Sequence, residues 1–149
     1  MSPADFRLSR FVDAQNAGDT YAEALAELRA GRKRSHWMWF VFPQIHGLGS
    51  SGMAQRYAIG SLEEARAYYE HPVLGARLRE CLAALATIAK PDAKYVFGGI
   101  DAMKLRSSLT LFLRAAPEDA TLKEALDRWF AGATDERTDQ LLTQVASKG

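Results

Sequence analysis

Leu74, Leu78, Cys81, Leu82, Leu85 and Ile88 recur at intervals of three and four residues. That spacing draws one apolar stripe along an α-helix and does not fit the two-residue period of a strand. A chain made of such stripes has to bury them against one another, and helix-on-helix packing does so. The spacing returns in Leu122, Leu126, Trp129 and Phe130, and in Leu105, Leu109, Phe112 and Leu113 of a helix predicted over Ala102 to Arg114. It also returns in Leu141, Leu142 and Val145 of a last helix predicted from about Asp135 to Val145, and after Thr20 in Ala24, Leu25 and Leu28. Three Ser/Thr-x-x-Glu pairs, Thr20 with Glu23, Ser61 with Glu64 and Thr121 with Glu124, read as helix starts in which the first side chain caps an amide and the glutamate returns the bond. Pro72 suits the first turn of the helix carrying the opening stripe, and Pro91 marks its end. The expected fold is all-α, an irregular single-domain helical bundle over residues 1–149, with the Pro72 helix at its centre. Cys81 lies on the stripe and reads as packing rather than as a nucleophile.

The chain has 149 residues, 48% of them hydrophobic, enough for one continuous core. Residues 1–75 carry 8 basic and 8 acidic groups and residues 76–149 carry 11 and 10. So even a balance gives no basis for binding long nucleic acid, which depends on many phosphate contacts. A lone cysteine forms no intrachain disulfide, and a cytoplasmic location is expected. Met1 to Phe6 lacks the basic start and apolar stretch of a secretory signal. No segment reaches the roughly 18 to 20 apolar residues of a membrane span, so no membrane partner is expected. His36, His46 and His71 lack metal-ligand spacing with cysteines or carboxylates, and no G-x-S-x-G nucleophile turn is present. Neither a metal nor a cofactor is called for.

One segment departs from amphipathic regularity. Leu28 to Leu62 contains no Asp or Glu but holds Arg29, Arg32, Lys33, Arg34 and Arg56, together with the run His36-Trp37-Met38-Trp39-Phe40-Val41-Phe42-Pro43-Gln44. The run Trp37 to Phe42 is apolar on every face, so a short buried helix and a buried strand both fit. Such aromatics read first as core. Flanked by Lys33, Arg34, His36 and Gln44, however, Trp37 or Trp39 can also wall a pocket with a cationic rim. Just beyond, Gly47-Leu48-Gly49-Ser50-Ser51-Gly52 has the form G-x-G-x-x-G without the preceding strand, following long helix and acidic residue of a dinucleotide fold. It reads either as a surface turn or as a glycine and serine loop, with Gly49 and Ser50, that offers amides to an anion.

A second acid-poor stretch, Ala93 to Pro117, sets Lys94, Lys104, Arg106 and Arg114 against Asp101 alone. Within it Gly98-Gly99 precedes a helix. Asp101 is read as the cap of that helix, with catalysis as the alternative. Lys104 and Ser108 share a helix face, and Arg106 points elsewhere.

The segments Gly31 to Gln44, Tyr57-Ala58-Ile59, His71-Pro72-Val73-Leu74-Gly75 and Phe97 to Ser108 resemble those of an uncharacterised bacterial family, a domain of unknown function often labelled "calpastatin" in genomes. The resemblance runs roughly from Phe6 to Leu142 and implies an all-helical domain with no established activity. A protease inhibitor disordered until bound is poor in aromatic and aliphatic residues, and this chain is rich in both.

Two functions follow as expectations. In the first, the two acid-poor segments bind a small anionic, nucleotide-derived ligand: Lys33, Lys104 and Arg106 contact the anion, Trp37 or Trp39 stacks, and Gln44, Gly49, Ser50 and Ser108 complete the site. Asp101 and His36 are then the candidate acid and base. In the second, exposed aromatics dock a protein partner and no catalysis occurs. The first requires residues 33–44 and 98–108 to lie against each other.

Overall fold

A computed structural model describes residues 6–148, with side chains to residue 146. Residues 1–5, most of the segment read for a secretory signal, lie outside the described residues. The described chain forms ten helices: α1 (Ser9–Asn16), α2 (Thr20–Ala30), α3 (Met38–Val41), α4 (Gly52–Arg56), α5 (Leu62–Glu70), α6 (Leu74–Ala86), α7 (Ala93–Phe97), α8 (Gly99–Ala115), α9 (Ala120–Phe130) and α10 (Glu136–Lys148). The fold is all-α. Among the described residues the extended pairing is one isolated parallel bridge, Ile45 with Ile59, which closes the loop around α4. No helix is long and apolar enough to cross a membrane among the described residues.

The stripes meet as expected, in one cluster that includes Leu28, Leu74, Leu78, Cys81, Leu85, Leu105, Leu109, Phe112, Leu122 and Leu126. Its centre is α8 rather than the Pro72 helix: α3, α5, α7, α9 and α10 all pack on α8, whereas α6 contacts α2, α5 and α9. The reason lies in the small and hydroxylated residues of α8. Ser107 and Thr110 return their hydroxyls to the carbonyls of Met103 and Arg106, so their short side chains can be buried and let neighbours approach from several sides. Thr110 Oγ1 also accepts from the Asp135 amide at 2.9 Å, and Asp135 caps α10 by accepting from the Thr138 amide. A polar seam therefore docks α10 on α8.

The start signals are partly displaced. Ser61 caps α5 as expected, accepting from the Glu64 amide, but Glu64 returns its bond to the Gly60 amide instead of to Ser61. Thr20 and Thr121 do not cap: each lies inside its helix, Thr20 as the first residue of α2 and Thr121 as the second of α9, where Asp119 accepts from the Thr121 amide. An aspartate one or two residues upstream occupies the cap position in both cases. Pro72 lies in the turn before α6, and His71 Nδ1 accepts from the amides of Val73 and Leu74. That tight turn needs Gly75, because a Cβ there would sit 2.0 Å from the Tyr69 carbonyl oxygen. The helix predicted from Ala102 starts earlier, at Gly99, and α6 ends at Ala86, well short of Pro91.

Candidate functional site

The aromatic run becomes the four-residue helix α3, and its side chains divide. Trp37, Met38, Phe40, Val41 and Phe42 are buried, while Trp39 is half-buried, packed against the core on one side and bordering open space on the other. Polar groups from other elements hold this arrangement. Glu27, on α2, accepts from the amides of Arg34 and Ser35, from the Ser35 hydroxyl and from the Trp37 indole at 2.9 Å. Burial alone would raise the Glu27 carboxyl, but these hydrogen bonds outweigh it and bring the group down to about 2. At the other end of α3, Gln15 and Tyr68 both donate to the Phe40 carbonyl, at 2.7 and 3.2 Å. Trp39 is thus presented by a short helix that is fixed at both ends.

Opposite α3, α7 runs almost directly into α8 through Gly98, whose φ of +82° favours a residue without Cβ. This junction brings Asp101 to the acid-free segment. Asp101 Oδ2 lies 2.8 Å from Lys33 Nζ, and Oδ1 lies 3.6 Å from Lys104 Nζ. The Lys33 side chain is only 6% exposed and also donates to the Ser35 carbonyl. Each ammonium sits over an indole: Lys33 is 5.0 Å from the Trp37 ring centre and Lys104 is 4.6 Å from that of Trp39. One carboxylate, two ammoniums and two indoles thus form a cluster with a formal charge of +1.

Two cavities adjoin it. The first, about 380 Å³, lies between Trp39, Phe97 and the Gly98-Gly99 turn, with Lys33, Asp101 and Lys104 on its wall and His36 at its mouth. The second, about 580 Å³, lies between Trp39, Met103 and the Gly49-Ser50 loop and reaches Gln44, Asp135 and Arg137. They share Trp39, Ile100 and Lys104.

The structure therefore brings together Lys33, His36, Trp39, Asp101 and Lys104 at the first cavity, and Gln44, Gly49 and Ser50 at the second. The two acid-poor segments lie against each other. Three candidates fall elsewhere. Trp37 is not a pocket wall, because its indole is buried and bonded to Glu27. Arg106 points away and donates to the carbonyls of Ala133 and Thr134, at 3.0 and 2.7 Å, tying down the α9–α10 turn. Ser108 shares its nominal helix face with Lys104 but is fully buried, four residues further into the core. Asp101 does not cap α8, for which Gly98 is the cap residue; it lies in the first turn and pairs with the two lysines. Among the described residues no group of three metal-ligating side chains occurs.

Glu27, Phe97, Ile100 and Met103 also build this region, without being candidates by sequence. For Glu27 a signal existed: a stretch without its own carboxylates has to borrow one from outside, and Glu27 is the last acid before the window opens. Ile100 and Met103, at 75% and 71% exposure, carried none, since an apolar residue on a helix reads as core until its neighbours are known.

The residues that build this cluster fall within a family model, described as a protein of unknown function (DUF1810), that matches residues 5–142. The chain belongs to the DUF1810 family. A solved relative supports the fold: the crystal structure of the conserved hypothetical protein Rv1873 from Mycobacterium tuberculosis at 1.38 Å is 48% identical, with a TM-score of 0.89 over 93% of this chain and 97% of that one. No curated protein matches. The DUF1810 match covers both acid-poor segments and every helix that positions them.

Proposed function

We propose that this DUF1810 domain binds a small anionic, nucleotide-derived ligand in the groove between α3 and the start of α8. The observation that carries this reading is the Lys104 ammonium, 4.6 Å from the Trp39 ring centre at the seam of two cavities. A flat ring and an anion need these two partners side by side. Lys33 supplies a second positive charge held in place by Asp101, and the Gly98-Gly99 backbone borders the first cavity. Any processing of the ligand rests on His36 and Asp101, which border the same cavity. The even charge of the chain supports a small ligand over long nucleic acid. Free, buried Cys81 is compatible with a bacterial cytoplasmic setting. A "calpastatin" role as a disordered inhibitor has no support in a chain with this much core.

A thermal-shift screen of nucleotides and phosphorylated metabolites tests the reading, since a ligand that binds only the native state raises the melting temperature. We expect stabilisation of the parent protein, weakened by salt and lost in Lys104→Ala and Trp39→Ala. Equal stabilisation of all three proteins would remove the site. The exposure of Ile100 and Met103 beside Trp39 favours a second reading, a docking face for a protein partner, and a screen without any hit turns preference to it.

A further inference from the structure

The groove has two lobes and one cation between them. The first cavity, about 380 Å³, has apolar walls from Met38, Trp39 and Phe97. The second, about 580 Å³, has apolar walls from Leu48, Ala54 and Met103, with Gln44 and Ser107 among its polar groups. Each alone falls in the size range of a small-molecule site, roughly 300 to 1,000 Å³, and each has the mixed lining, apolar with a few polar groups, that suits a ring and its sugar. Trp39, Ile100 and Lys104 belong to both. Lys104 is the loosely held member of the cluster: its 3.6 Å separation from Asp101 exceeds the roughly 2.7 to 2.9 Å of a charge-assisted hydrogen bond. Lys33, at 2.8 Å from the same carboxylate, is the tightly held one. The ammonium at the seam therefore has donors to give, while the buried one serves to place Asp101.

Resting on the anion-site reading above, we infer that the ligand is two-armed: a diphosphate or similar double anion at the Lys104–Trp39 seam, carrying a ring-bearing group into each cavity. A mononucleotide fills one lobe and leaves the other to water. A dinucleoside diphosphate fills both, and once its first arm is bound the second enters as an intramolecular step, which raises affinity without any new kind of contact.

Calorimetric titration of the full chain with AMP and with diadenosine diphosphate, and with the guanine, uridine and cytidine equivalents in parallel, tests this. The dinucleoside compound of at least one base is expected to bind tighter than its mononucleotide by about tenfold or more. Ser50→Trp places a bulky side chain at the second cavity from an exposed loop position and is expected to abolish that advantage, leaving the dinucleoside compound no tighter than its mononucleotide. Equal affinity of both compounds for the parent protein, or an advantage that survives Ser50→Trp, would overturn the two-armed ligand and leave the anion site standing. Binding of neither compound with any base would overturn the site itself.

Discussion

Glu27 carries more of the local architecture than any candidate named from the sequence, because four donors of the 34–37 segment converge on its carboxylate. Its folded-state value of about 2 lies below the ordinary carboxylate range, so its contribution is fully present above the unfolded value and is lost as pH falls through the folded one. Glu27→Gln is expected to destabilise the protein at pH 7 by roughly 2 kcal/mol, after allowance for partial exposure. The gap between variant and parent should narrow as pH drops from about 4.5 towards 2, read from urea midpoints at each pH. At Arg106 the expectation separates structure from function. Arg106→Ala should cost about 1 to 2 kcal/mol, through the Ala133 and Thr134 carbonyls it leaves unpaired, without changing ligand affinity. Cys81 is fully buried, and burial pushes its thiol up to about 12. It should resist an aromatic disulfide reagent at pH 8 until urea unfolds the chain.

Among the helices, the joints decide the arrangement. The α5–α6 turn depends on Gly75, whose missing Cβ leaves room for the Tyr69 carbonyl. Because the obstacle is backbone, Gly75→Ala is expected to destabilise by about 2 to 4 kcal/mol. Gly52→Ala, at the start of α4 where no heavy atom lies within 4 Å of the added methyl, should shift stability by less than about 0.5 kcal/mol. Chemical denaturation of both variants measures the contrast. The α7–α8 joint at Gly98 matters differently, since it aims the first turn of α8, and with it Asp101 and Lys104, at α3. Apolar periodicity showed that these helices exist. It did not show where they begin, because the aspartates at the cap positions, of which Asp119 alone accepts an amide, stand one or two residues outside the Ser/Thr-x-x-Glu pattern.

At the scale of the whole molecule, one core joins every element from α1 to α10. Unfolding is therefore expected to be a single transition, with helix content and the fluorescence of Trp37 and Trp129, at separate places in that core, falling together in urea. Separate midpoints for the two signals would contradict it. The sequence by itself determined the all-α class, the stripes that form the core and the acid-poor segments that meet at the groove, because helical period and local charge are written in neighbouring residues. Only the tertiary structure decided that Trp39 borders the groove while Trp37 is buried, that Asp101 pairs with lysines instead of capping, and that α8 holds the centre. The first two outcomes depend on partners outside the local segment, Glu27, Gln15 and Tyr68 for α3 and Lys33 for Asp101. Spacing along a sequence does not encode which distant groups the packing of helices will bring together.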